Sequence, residues 1–263
     1  MNRPAISAHQ LSPDQTQFFK DNGYLVLPQL YDADEIRELR QEFHLLVTNT
    51  ADRPKNISYD FMDPAEGYPL DPFNPKNVVG IMDQTLAEDF WFDQFTDPRV
   101  VVPMTDLLGP NIDFHNGKVR NKPPGFHASQ GWQQDWPYER HSQPDLAAAI
   151  TYIDDTDFEQ GATEVIPGSH LRGEWDPQDG HTISDDAVAP GSWKVLAAKA
   201  GDVAIIHVQV VHRAGHNYTG TARHALINEY KTAEARDLWN NRCAFAGLPL
   251  ARAGKPLIPR IRE

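Results

Sequence analysis

Gly201-Asp202-Val203-Ala204-Ile205-Ile206-His207 runs on through Val208-Gln209-Val210-Val211 to His212, and Arg223 stands eleven residues further along. Rich in β-branched residues and opened by a Gly-Asp pair, residues 203–212 read as a buried strand and 223–230 as the next. Segments 112–120, 146–153, 163–166 and 193–197 have the same texture. Gly161, Pro167-Gly168, Pro190-Gly191, Gly201 and Gly220 punctuate them. Short strands broken by turn residues, with no linker between them, predict a β-sandwich or barrel of jelly-roll type over about residues 112–232.

Residues of about 10–110 are patterned differently. Ser12-Pro13-Asp14-Gln15 offers a capping serine, a proline for the first helical position and a glutamine to complete a capping box, and Gly23 stops the helix. Tyr24-Leu25-Val26-Leu27 reads as a short strand. A second helix opens at Asp32 with Glu35 three residues on, and buries Ile36, Leu39, Phe43 and Val47 at helical spacing. A third runs from Asp97-Pro98 to Leu108-Gly109 on Val101, Met104, Leu107 and Leu108. Residues 52–80 show no period. So long an irregular stretch predicts a functional loop, and with Tyr59, Phe61 and Met62 it is the candidate lid. The tail 243–263, rich in Pro and Arg, is expected to pack over the outside. The whole chain, 1–263, reads as one domain, mainly β with N-terminal helices.

Chemistry concentrates in three pieces: Trp132-Gln133-Gln134-Asp135-Trp136-Pro137-Tyr138, the strand ending at His212, and Arg223. Residues two apart in an extended segment share a face, so positions 133 and 135 project together. Asp135 and His212 would give a carboxylate and an imidazole to one metal, a mixed set that suits non-haem Fe(II) with open positions. Arg223 would offer its planar fork to the carboxylate of an anionic cosubstrate. His207 lies an odd number of residues from His212, so on a regular strand it points to the other face and reads as structural.

At these residues the chain resembles the phytanoyl-CoA dioxygenase family of Fe(II)/2-oxoglutarate oxygenases. The resemblance extends to Asn22-Gly23-Tyr24-Leu25-Val26, to Asn121-Lys122-Pro123-Pro124-Gly125 and to Gly161-Ala162-Thr163-Glu164-Val165-Ile166-Pro167-Gly168-Ser169-His170. It implies a double-stranded β-helix core of cupin-like type. It also implies hydroxylation of a C–H bond of a small molecule or secondary metabolite, with 2-oxoglutarate converted to succinate and CO2. Carried over residue by residue, it places the carboxylate ligand of Fe(II) on Asp135, the distal histidine on His212 and the 2-oxoglutarate arginine on Arg223. Lys118 and Thr151 fall at further positions of the cosubstrate pocket.

One departure stands out, because the family's His-x-Asp is here Gln133-x-Asp135. An amide oxygen is a neutral, hard and weaker donor for Fe(II) than imidazole. Gln133 ligates iron weakly, marks a protein that binds 2-oxoglutarate or another small acid without turnover, or is an engineered change that traps a complex; the residues leave all three open. His127 and His141, each six residues from Gln133, are candidates to approach the same position if the loop folds back. Asp135 disfavours halogenation, since the halogenating oxygenases of this superfamily have lost that carboxylate.

Composition sets the outer limits. With 24 Lys+Arg against 37 Asp+Glu in 263 residues the net charge is −13, which argues against non-specific nucleic-acid or anionic-membrane binding. It also makes a polyanionic CoA thioester a less attractive substrate than a small molecule. Cys243 stands alone, excluding an internal disulfide and any cysteine-based metal cage, and suggests a cytoplasmic protein.

Overall fold

Ser12 caps α1 (Pro13–Asn22) as the sequence requires: its hydroxyl accepts from the Gln15 amide while the Gln15 side chain accepts from the Ser12 amide. Gly23 ends the helix at φ 77°, where a Cβ would stand 2.4 Å from Val210. The computed structural model describes residues 10–48, 56–62, 77–125, 130–178, 181–239 and 243–257. After β1 (Tyr24–Leu27), Asp32 accepts from the amides of Asp34 and Glu35 to open α2 (Ala33–Thr48). That helix buries Ile36, Leu39, Phe43 and Val47, with Leu46 added. The third expected helix is α4 (Pro98–Leu107), capped by Asp97. Just before it lies α3 (Asp89–Phe95), an aromatic-rich helix of about two turns that has no helical period to betray it.

Two antiparallel sheets form the jelly roll. The larger has the order β1, β9 (Val203–His207), β6 (Leu146–Tyr152), β11 (Arg223–Thr232), β4 (Ile112–Lys122), β12 (Pro249–Arg252), β13 (Lys255–Pro256). The smaller runs β5 (Gln130–Gln133), β10 (His212–Ala214), β7 (Thr163–Val165), β8 (Lys194–Val195). Alternation along the central strands sorts their side chains. Val203, Ile205, Ala147, Ala149, Leu226 and Tyr230 face the helices and share their core with Phe19, Ile36 and Phe43. Ala204, Ile206, Ile150, Tyr152 and Ala225 face the smaller sheet. Both faces of the large sheet are therefore covered. No helix among the described residues is long and apolar enough to cross a membrane.

Three expectations need correction. The segment 203–212 is not one strand: β9 ends at His207, residues 208–211 turn, and β10 begins in the other sheet at His212. The stretch 52–80 is not wholly irregular, for β2 (Ser58–Phe61) pairs with β3 (Val78–Met82), which pairs with β4. Tyr59 and Phe61 pack against the core and Met62 is buried, so this part is sheet rather than lid; residues 52–55 and 63–76 lie outside the described residues. The tail does not merely lie outside, since β12 completes the edge of β4 and Leu250 and Ala251 are wholly buried.

Candidate active site

Crossing from the large sheet to the small one brings the chemistry together. His212 opens β10 directly opposite Gln133, the last residue of β5. Asp135 follows two residues later, and its Oδ1 lies 3.6 Å from His212 Nε2. The imidazole is oriented by its other nitrogen: Nδ1 donates to the Val210 carbonyl at 3.0 Å, which leaves the Nε2 lone pair facing Asp135. Gln134 points the opposite way, its amide donating to Gly173 and Gln209 and accepting from Trp175.

Gln133, Asp135 and His212 line a cavity of about 370 Å³ between the sheets, together with Arg223 and Lys118. Ala148, Ile150, Ile206 and Ile227 form its apolar wall. Thr151 does not line it: pleating turns it to the helix-facing side, between its strand partners Val203 and Leu226. Arg223 is 4% exposed; its Nη2 donates to the Gly161 carbonyl at 2.6 Å, and its Nε has no partner. Burial pulls its pKa below the usual arginine range. Lys118 is held by Glu229 at 2.5 Å. His141 packs edge-on against His115 and does not line the cavity, while His127 lies outside the described residues.

Two cavity residues escaped the sequence reading. Lys122 is four residues along β4 from Lys118, and Glu229 six along β11 from Arg223, so even spacing puts each pair on one face. The signal was present in the parity, but it needed the register Arg223–Lys122 between the two strands to become a site.

The phytanoyl-CoA dioxygenase family pattern matches residues 19–225. The chain belongs to the phytanoyl-CoA dioxygenase family. It is 25% identical over 238 residues to a probable alpha-ketoglutarate-dependent hypophosphite dioxygenase of Stutzerimonas stutzeri, covering 84% of this chain and 79% of that one. To the peroxisomal phytanoyl-CoA dioxygenase of Rattus norvegicus it is 27% identical over 243 residues, 86% and 70% of the two chains. Among solved structures, the alpha-ketoglutarate-dependent carbocyclase SnoK of nogalamycin biosynthesis superposes with a TM-score of 0.73 at 18% identity, covering 98% of each chain. EctD from S. alaskensis with 2-oxoglutarate and 5-hydroxyectoine gives 0.74 at 18% identity, over 97% and 89%. These two likenesses bear on the fold alone. Family membership makes the chain an Fe(II)/2-oxoglutarate-dependent dioxygenase.

Proposed function

We propose that Gln133, Asp135 and His212 hold Fe(II), that Arg223 anchors 2-oxoglutarate, and that the enzyme hydroxylates a C–H bond of a small molecule. The observation that carries this is one cavity with a carboxylate and a correctly oriented imidazole nitrogen 3.6 Å apart on one wall and a buried arginine with an unpartnered Nε on another. The donor chemistry fits the metal: one anionic oxygen, one imidazole and one neutral amide oxygen, with room left for exchangeable ligands. The unpartnered Nε fits the cosubstrate, because a buried guanidinium donor without an acceptor is completed by a carboxylate.

Iron(II), when bound, would supply the activation of O2 that couples decarboxylation of 2-oxoglutarate, to succinate and CO2, to oxidation of the substrate. The protein's own part is orientation and exclusion. Asp135 supplies the negative charge that keeps a dication in place, and the Val210 carbonyl fixes which His212 nitrogen faces it. Arg223 sets the depth of the cosubstrate. Ile150, Ile206 and Ile227 keep water from the reacting centre. A cavity of about 370 Å³ lies at the small end of ligand sites, so it admits the cosubstrate and only the reacting part of a compact substrate. Lys118, beside Glu229, is assigned to the same cavity but at a distance from Arg223 along the wall.

The test is anaerobic. Fe(II) and 2-oxoglutarate added to metal-free protein should give the visible metal-to-ligand charge-transfer band. Gln133→His should tighten apparent iron affinity by at least about tenfold, the scale on which lesser changes around a metal act, and raise succinate formation with it. No band and no succinate in either protein overturns the reading.

A further inference from the structure

Lys122 and Arg223 are register partners across β4 and β11, so their side chains leave the sheet on the same face. Both then converge on one acceptor. Arg223 Nη2 donates to the Gly161 carbonyl at 2.6 Å and Lys122 Nζ to the same oxygen at 3.3 Å; Lys122 Nζ also donates to the Gly215 carbonyl. The two residues are 7% and 4% exposed. Neither has a carboxylate within ion-pair distance among the described residues. Glu164, the nearest to Lys122 in its influence, is already engaged by Arg213 at 2.8 Å, and Asp154, which acts on Arg223, by His224 and Arg40. Two like charges buried side by side repel, and carbonyl dipoles compensate them only in part. With Arg223 Nε also lacking an acceptor, the arrangement is complete only when an anion enters.

We propose that Lys122 and Arg223 together form a two-cation anchor for the distal carboxylate of 2-oxoglutarate, so that Lys122 is a cosubstrate-binding residue in its own right. This rests on the assignment of the cavity to 2-oxoglutarate. It has a consequence that a single-arginine anchor lacks. Burial, and then the charge of Arg223, push Lys122 down to about 7. An incoming dianion removes the repulsion and restores the ammonium, so binding takes up a proton. Below pH of about 7 the lysine is already charged and affinity is flat. Above it the proton must be acquired, and affinity falls by up to about tenfold per pH unit. The groups facing Lys122 and its neighbour are Arg223 on β11, Glu164 on β7 and Tyr152 on β6; burial raises the Tyr152 hydroxyl, which stays neutral through this range. A purely structural lysine, clamping Gly161 to Gly215, would leave proton uptake at zero.

Calorimetric titration of 2-oxoglutarate into the Mn(II)-loaded protein at pH 8, in buffers of different ionisation enthalpy, reads affinity and proton uptake together. The wild type should take up most of one proton. Lys122→Met should bind at least about thirtyfold more weakly, the lower end for removing one partner from a buried charged contact, with no uptake. Lys122→Arg, charged at every pH, should keep most of the affinity while losing the uptake. Arg223→Met serves as the reference: if it loses binding and Lys122→Met does not, the second anchor is wrong and the cosubstrate assignment stands. If the wild type binds no 2-oxoglutarate at all, the assignment itself fails. If Lys122→Met does not fold, wild-type binding without proton uptake, or unchanged uptake in Lys122→Arg, still overturns the proposal.

Discussion

Glu229 stands at the other end of the cavity wall from Arg223, and a one-residue irregularity explains its company. The β4–β11 ladder slips there, Glu229 opposing Asn116 while Tyr230 opposes Phe114. His115 is the extra residue, a bulge that puts it on the same side as Asn116. His115, Glu139 and Glu229 thereby gather with their ligand-type atoms within 4.8 Å of one another. The cluster closes without a metal. Asn116 donates to both carboxylates, at 3.3 Å and 3.0 Å, and Lys118 donates to Glu229. Burial opposes a charge on His115, but Glu139 outweighs it and holds the pKa up; burial likewise opposes Glu229, and Lys118 with His115 holds it down. Burial and the neighbouring Glu229 push Glu139 the other way, upward, against His115 and Lys118. Removing Glu229 leaves Lys118 buried without its ion-pair partner, with Asp135 as the stronger of the two attractions that remain and Glu139 as the weaker. Glu229→Gln is therefore expected to weaken metal binding by about tenfold as Lys118 turns to Asp135, and adding Lys118→Met should restore it. Metal titration of the single and double variants reads this directly. Wild-type affinity in Glu229→Gln would show that Lys118 does not reach Asp135.

Legibility from sequence was uneven at the level of elements, and the residues show why. Both N-terminal helices declare themselves through local chemistry, at Ser12-Pro13 and at Asp32–Glu35. Asp135, His212 and Arg223 were also legible, because their spacing along the chain carries the pattern. The turn at 208–211 was not, for Val208-Gln209-Val210-Val211 is as apolar and β-branched as the strand before it. What breaks the strand is tertiary. Val208 donates to Leu146 and accepts from Trp136, and Val211 accepts from Ile166 and donates to the Ser169 hydroxyl at 2.8 Å. The Leu146 contact carries the β6 ladder one residue further, but the remaining groups bond to Trp136, Ile166 and Ser169 outside it, so the ladder stops there. Ser169 is buried, and no other acceptor replaces its oxygen at the Val211 amide. Ser169→Ala should then cost about 1–3 kcal/mol of stability, the desolvation of an unpaired buried donor. Because His212 is the next residue, iron affinity should fall with it. Urea unfolding beside metal titration measures both, and a loss of stability at unchanged iron affinity would mean that β10 holds His212 without the turn.

On the scale of the whole molecule the N-terminal helix must be fastened to the jelly roll, and the fastening is made of neutral histidines. His207, at the end of β9, donates its amide to Gly23 and accepts the Gln209 amide on Nδ1 at 3.1 Å. Its ring lies 6.3 Å from Phe19 of α1 and 5.3 Å from His170, whose Nε2 meets the Lys20 carbonyl. His207 faces away from the cavity as expected: alternation along β9 puts it on the helix-facing side with Val203 and Ile205, where its ring packs under α1. Burial, and then the charge of His170, push His207 down to about 4, and burial lowers His170 in the same direction. Unfolded, His207 takes its proton near pH 6.5; folded, it resists until about 4. Its contribution is complete above pH 6.5 and is lost as pH falls towards 4, by an amount of the order of 2–3 kcal/mol. Acid should therefore detach α1 and β1 before it disturbs β4 and β11, whose buried pairs rest on Lys118 and Glu229. Denaturant unfolding at pH 7, 5.5 and 4.5 should show the loss in the wild type and a flatter profile in His207→Gln, which can still accept the Gln209 amide but takes no proton. Parallel profiles in the two proteins would place the acid-sensitive contact elsewhere.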